Sequence, residues 1–499
     1  MNKYQKLMGN TLIFGVGQLL SKLVGFLLTG LYLRYIPKEE FNIAELIYST
    51  VNMLVPMVTF SMADAVIRFG MAKEYDKRKI YTCACLFVLG GMSIFMLFTP
   101  LVANISVFAG YSFLLYVYCY FSCFRQIASQ FVRAQGAIKL YLADGVFAVF
   151  VQLIVNLIMV AGLHMGVKGY VMGFIISDAI SLALLTVIAR LGQCLHMKFF
   201  DRKTAWEMLC FAAPLIPTYM LWWVTSSSDR WFMTYMVGSG ESGIYSSGYK
   251  LPTLLMLVTT IFYQAWQMSS IEERNSRTLG KFYENVFGAY TSLMFIAAAG
   301  LIMLIKPLTF VLTGNGENGK DYFTVYPVVP ILVAAMLFQC FCQFLSSVYT
   351  TKKKSVNSCV TALIAAVVNI ILNIVLIPKH GMYGAAIATA AAYFACFAVR
   401  LFDARQYIFF KVDYLRLIVN TGITVFMCVL IAKAPKLWVL WVILCFAVSL
   451  IYNMDAVIKT LRKILSRGTV RQPQNAQGNM GNAGNVGNAH AHSDYGERR

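Results

Sequence analysis

Three basic side chains, Lys22, Arg125 and Lys250, fall inside long apolar stretches, as do the acids Glu45, Asp64, Asp144 and Asp178, while Asp229 lies just past the end of another. An ionisable group in such a setting is costly unless it is paired or faces a water-filled cavity, so these residues are where the chain can do chemistry. Lys22 is nearest the middle of its stretch, its ammonium ~15 Å from either end at ~1.5 Å per helical residue. Snorkelling covers only part of that distance, so lining a hydrated cavity is favoured over pairing with a structural acid. Lys250 lies in the first part of its stretch beside Pro252, where snorkelling is a live alternative. For Arg125, nearer one end, function and snorkelling are evenly balanced.

Asp64 and Arg68 are four residues apart, the spacing of an intrahelical ion pair. Asp229-Arg230 follows Thr225-Ser226-Ser227-Ser228 at the end of an apolar stretch and reads as a gate or an exposed ion pair. These four residues are the gating or ion-coupling candidates. No two carboxylates sit at a spacing that suggests acid–base work, and no nucleophile elbow, Walker A loop or zinc motif is present. A catalytic enzyme and an ATP-driven pump are therefore not expected. The 12 cysteines include two C-x-C pairs, Cys83/Cys85 and Cys340/Cys342, but no C-x-x-C, and the five histidines add no ligand pattern. Neither a metal site nor a cofactor is expected; buried cysteine acts as a small hydrophobe.

The elements that must position these residues are membrane helices. Of 499 residues, 59% are hydrophobic and only 13% charged, whereas soluble domains carry roughly 25% charged residues. Apolar runs of helix-spanning length recur throughout and number about fourteen. The second covers 41–67, the seventh 208–227 and the eighth 243–268. The first extends to about Leu33 with no small-residue cleavage site, so it reads as a retained helix. With the N-terminus inside, alternate connections collect 30 Lys/Arg on one side and 9 on the other. That asymmetry predicts a plasma-membrane protein with both termini cytoplasmic, and it explains the formal charge of +20 without nucleic acid.

An internal echo divides the chain. His164-Met165-Gly166-Val167-Lys168-Gly169-Tyr170 and Lys379-His380-Gly381-Met382-Tyr383-Gly384-Ala385 share a G-x-x-G, and Ala189-Arg190 matches Ala404-Arg405 at the same offset. The expected organisation is a six-helix lobe over 1–203, a second over 204–414, and two additional helices over 415–458. A disordered cytoplasmic tail is expected over 459–499, where a Gly/Asn repeat (478–488) has no periodic apolar face.

Asn10 to Phe26 (NTLIFGVGQLLSKLVGF) resembles the opening helix of Wzx-type oligosaccharide flippases of the multidrug/oligosaccharidyl-lipid/polysaccharide (MOP) exporter superfamily. Ala213-Pro214-Leu215-Ile216-Pro217 with Ser228-Asp229-Arg230, and Tyr245-Ser246-Ser247-Gly248-Tyr249-Lys250-Leu251-Pro252, resemble their seventh and eighth helices. The resemblance implies an all-α fold with two lobes in a V, as in MATE transporters, around a cationic cavity working by alternating access. Lys22 and Lys250 match positions where related peptidoglycan-precursor flippases carry arginine. A further arginine of those proteins falls near Leu28 here, which points to a different diphospholipid sugar.

The expected substrate is thus a lipid-linked oligosaccharide of the undecaprenyl-diphosphate type, bound through Lys22, Lys250 and Arg125. It would be flipped to the outer leaflet for cell-surface polysaccharide synthesis. Coupling would come from a Na+ or H+ gradient or the membrane potential, with membrane lipids and polysaccharide-synthesis proteins as further partners. The rival readings are a drug or cation antiporter of the same superfamily and a membrane glycosyltransferase or polymerase. The first helix has no Asp or Glu between Thr11 and Leu33 to hold a cationic drug. The longest predicted external loop, about Lys306–Tyr322, is short for a catalytic domain.

Overall fold

The computed structural model describes residues 21, 24–72, 74–272, 279–352 and 354–469. Among these it is built of helices. The first lobe comprises α1 (24–35), α2 (Lys38–Val58), α3 (Met62–Gly70), α4 (Lys77–Leu97), α5 (Thr99–Ala103), α6 (Ser112–Ala134), α7 (Ile138–Asn156) and α8 (Gly166–Ile188). The second comprises α9 (Arg202–Ala212), α10 (Ile216–Met236), α11 (Ser239–Gly248), α12 (Thr253–Glu272), α13 (Leu279–Met303), α14 (Ile305–Thr313), α15 (Glu317–Phe323), α16 (Val329–Lys352) and α17 (Ser355–Tyr407). Two more helices, α18 (Tyr414–Lys433) and α19 (Trp438–Thr469), pack on α13.

Ten helical segments among the described residues are long and apolar enough to cross a membrane. Counting α17 as two passes, and adding α1, α6 and the α11–α12 pair, gives the fourteen that the hydropathy pattern predicts. The chain is an all-α, multi-span membrane protein. Charged ends are capped locally: Asp76, Asp201 and Asp413 each accept a backbone N–H at the start of α4, α9 and α18, satisfying donors that the helix itself leaves free.

Several predicted spans are not single helices. The second is split by Phe60 and Ser61, both in the left-handed region at φ 51° and 53°, so Asp64 belongs to the short α3. The eighth is split between α11 and α12, where Pro252 has no N–H to continue the first helix. The seventh runs on to Met236, nine residues past its predicted end, which puts Asp229 and Arg230 inside α10. Helix α19 continues to Thr469, beyond the predicted start of the tail at 459.

The internal echo has a backbone counterpart. Gly166 and Gly381 both take φ near +50°, at 53° and 51°, at the entry to the last full pass of each lobe. Gly381 is the kink within α17. L side chains rarely adopt that conformation, which is why glycine recurs there.

The lobes meet at the end carrying Lys38 and Asp321. There α2 packs against α10, α11 and α15, Lys38 pairs with Asp321 at 2.9 Å, and the Tyr322 hydroxyl donates to the Ile36 carbonyl at 3.0 Å. Asn42, fully buried, donates to Thr234 at 2.9 Å and Ser239 at 3.0 Å.

Candidate functional site

Beneath this closure two neighbouring chambers lie between the lobes, with Ser21 and Leu257 in the walls of both. The first, of ≈ 460 Å³, is walled by Glu45 and Tyr170 of the first lobe and by Arg230, Tyr249 and Lys250 of the second. The second, of ≈ 580 Å³, is lined by α2, α6 and α7, with Leu257 and Thr260 from α12, and reaches Gln130 and Tyr141 beside the α6–α7 turn.

The first chamber is built around one carboxylate and two cations. Lys250 sits in the break between α11 and α12, and its ammonium lies 2.6 Å from Glu45 Oε1. Arg230, from the middle of α10, reaches Glu45 Oε2 at 3.5 Å. The Tyr170 hydroxyl donates to Glu45 Oε1 at 2.8 Å. Glu45 is 1% exposed, against 24% for Lys250 and 12% for Arg230, so the acid is sealed in the wall while the cations border the cavity. The group carries one formal positive charge beyond neutrality. Arg230 Nε is buried and has no hydrogen-bond partner among the described residues. This arrangement can take a further anion by charge-assisted hydrogen bonds.

The second chamber has the opposite balance. Arg125 of α6 donates to Asp178 at 2.9 Å and Ser181 at 2.7 Å on α8, and to Asp144 at 3.5 Å on α7. Ser122 and Ser181 donate short bonds to Asp178 and Asp144. One guanidinium between two carboxylates leaves a formal charge of −1.

Asp229 faces away from both chambers. It is fully buried in the second lobe and accepts from Tyr245 at 2.7 Å, from Tyr249, and from Thr389 at 3.2 Å. Ser228 beside it donates to Asn369 Oδ1 at 3.0 Å, which also accepts from Asn373. The expected exposed Asp229–Arg230 pair is therefore corrected: neighbouring helix positions point about 100° apart, and the two side chains serve different networks.

The expected Asp64–Arg68 ion pair does not form either. In the short α3, Asp64 accepts from the Tyr219 hydroxyl of α10 at 2.9 Å, and Arg68 stacks over Phe211 of α9 at 4.3 Å. Both contacts cross from the first lobe to the second. Lys22 lies outside the described residues.

Sequence reasoning missed Arg400. Counted by its charge with the basic residues of the connection over 400–416, it is instead fully buried in α17. Its guanidinium donates to Thr361 at 2.8 Å, the Cys342 carbonyl at 2.9 Å and the Ser358 carbonyl at 3.1 Å, and stacks on Trp222 at 5.0 Å. Its satisfied donors make it a clamp between α16, α17 and α10. Its position at the end of the twelfth apolar run, 384–401, was the available signal.

The sequence profile of the polysaccharide biosynthesis protein family matches residues 7–267, more than half of the chain. A stretch of 110 residues is 28% identical to the uncharacterized membrane protein YabM of Bacillus subtilis (strain 168). That match spans only 22% of this chain and 19% of YabM. Among solved structures, the lipid II flippase MurJ in an inward closed conformation superposes with a TM-score of 0.64 at 16% identity, covering 92% of this chain and 100% of that one. An inward-facing multidrug resistance MATE family transporter of the MOP superfamily gives 0.66 at 13% identity, covering 78% and 94%. The chain thus has the fold of these transporters, and it belongs to the polysaccharide biosynthesis protein family.

Proposed function

We propose that this protein flips a lipid-linked oligosaccharide of the undecaprenyl-diphosphate type from the cytoplasmic to the outer leaflet of the plasma membrane, by alternating access, for cell-surface polysaccharide synthesis. The observation that carries this reading is the excess positive charge of Lys250 and Arg230 over Glu45 at the wall of an interlobe cavity. A diphosphate cannot pass through hydrocarbon with its charges unpaired. A cavity that offers cations in place of water removes most of that penalty, while the lipid tail stays in the bilayer. Lys22, from the first apolar stretch of the sequence, is the proposed partner of Lys250 in holding the diphosphate. Glu45 then acts as the resident counter-ion that the incoming diphosphate displaces, which loosens the contact between the lobes.

Asp229, with its shell of hydroxyl and amide groups inside the second lobe, is the proposed ion-coupling residue. Asp64, bonded to Tyr219 across the lobes, is the proposed gate at the opposite end. Both termini are assigned to the cytoplasm on the charge asymmetry of the connections.

The test is export of surface polysaccharide in a strain lacking the native gene, with membrane abundance measured in parallel. Lys22→Ala abolishes export at normal abundance, Lys22→Arg retains part of it, and Lys22→Glu is worse than alanine because it repels phosphate. Lys250→Ala and Lys250→Glu follow the same order with smaller effects. Wild-type export by Lys22→Glu and Lys250→Glu together would overturn the reading.

A further inference from the structure

We infer that the chamber around Arg125, Asp144 and Asp178 is the sugar-selecting part of the site, and that it admits uncharged sugars while excluding sugar carboxylates. This rests on the flippase reading above and adds the class of glycan.

Arg125 is the one cation lining this chamber among the described residues. Its three nitrogens are already directed to Ser181, Asp178 and Asp144. A uronic acid entering here meets, among the described residues, two carboxylates against one guanidinium that is already engaged by them. An uncharged sugar meets a surface suited to hydroxyl groups. The side-chain carbonyl oxygens of Gln126 and Gln130 are buried without a partner among the described residues, and each can accept a sugar hydroxyl. Asn52 adds a further amide, and Tyr141 and Val146 offer apolar surface for the C–H faces of a ring.

The two chambers are ordered for such a ligand. Cation excess lies under the lobe closure and acid excess in the adjoining chamber, and both border Ser21 and Leu257. A diphosphate held at Lys250 and Arg230 therefore has its first sugars in the Arg125 chamber. Specificity comes from an element that repels the wrong ligand as much as from one that attracts the right one.

The experiment uses the full chain in lipid nanodiscs and three probes: farnesyl diphosphate, farnesyl-diphosphate-linked N-acetylglucosamine, and the same lipid linked to glucuronic acid. The expected result is that the N-acetylglucosamine probe binds about tenfold or more tighter than the glucuronic acid probe, as one unscreened charge in a partly dry site demands. Asp178→Asn should narrow that ratio about tenfold. Because this variant disturbs a buried ion pair, Gln126→Arg provides a second test: it adds a cation to the chamber wall and should raise affinity for the glucuronic acid probe alone. Equal wild-type affinity for both glycolipids, with farnesyl diphosphate still bound, overturns the sugar-selecting role and leaves the flippase reading standing. Failure of all three probes to bind overturns both.

Discussion

Lys250 and Glu45 are 205 positions apart in sequence, yet the ammonium of one lies 2.6 Å from the carboxylate of the other, joining the two lobes at the roof of the cavity. The pair lies where a diphosphate would bind under the proposed function, so binding and lobe separation compete for the same cation. An anion that takes Lys250 and Arg230 leaves Glu45 with only Tyr170, and the closure loses its central contact. Substrate then shifts the equilibrium through its different affinity for the joined and parted lobes, as any ligand-driven transition requires.

A double-mutant cycle measures this contact. Glu45→Gln keeps a hydrogen-bond acceptor for Tyr170 and removes the charge; Lys250→Met removes the ammonium and keeps the stem. Removing one partner of a buried pair typically costs about 3–5 kcal/mol, and the cycle should show a coupling of roughly 1–3 kcal/mol in detergent unfolding. Additive effects would show that the pair does not hold the lobes.

Acid should weaken the junction between the lobes through Asp201. This residue caps α9, and its carboxylate accepts from the Thr204 hydroxyl at 2.6 Å and backbone N–H at 3.3 Å, with Lys79 at 3.6 Å. Those hydrogen bonds, with the nearby ammonium, hold its pKa below the ordinary 3.8. A depressed carboxylate stabilises the fold fully above that ordinary value, and the contribution is lost as pH falls through the lower folded value. Asp201→Asn should therefore lower the melting temperature at pH 7, with the difference from wild type shrinking toward zero below about pH 3.8. A gap that stays constant from pH 7 to 3 would assign Asp201 no charge-dependent role.

Hydropathy made the membrane class and the number of passes legible, because both are sums over neighbouring residues. It also exposed Lys250 and Arg125, since one charge in an apolar run stands out. It failed where Ser226-Ser227-Ser228 lowered the local average and ended the seventh span early, which placed Asp229 and Arg230 outside α10. It failed at Arg400 for the converse reason: nearby Asp403 and Arg405 looked like a connection, while Trp222, Cys342 and Thr361, which solvate the guanidinium, are distant in sequence. Nothing local to Glu45 announces that two cations from the other lobe converge on it.

Orientation rests on the 30-to-9 division of basic residues and is directly testable. Reporters fused after Arg78 and Lys203 should report cytoplasm, and those after Lys38, Asn318 and Lys379 the exterior. Two or more reversed sites would overturn the fourteen-pass topology, and reversal of all five would place the Lys38–Asp321 closure on the cytoplasmic face.

The sharpest test of the closure is Gly243 of α11. A Cβ built there would lie 1.9 Å from the Lys38 carbonyl oxygen at the start of α2, a backbone atom of the opposite lobe that no side-chain rotation can move away. Gly243→Ala should therefore leave each lobe intact and force the two apart at this end. Overpacking of this kind typically costs about 1–3 kcal/mol, enough to shift the ratio of joined to parted lobes by roughly fivefold to a hundredfold. Asn42→Cys supplies the readout, since residue 42 is fully buried between α2 and α10 when the lobes are joined. Membrane-impermeant maleimide added outside should label this cysteine slowly in the single variant and about tenfold faster when Gly243→Ala is added, by the same energy. Polysaccharide export should fall with abundance unchanged, because a transporter that cannot close this end cannot complete its cycle. Unaltered labelling together with normal export would show that the tight Gly243–Lys38 approach is not required for transport.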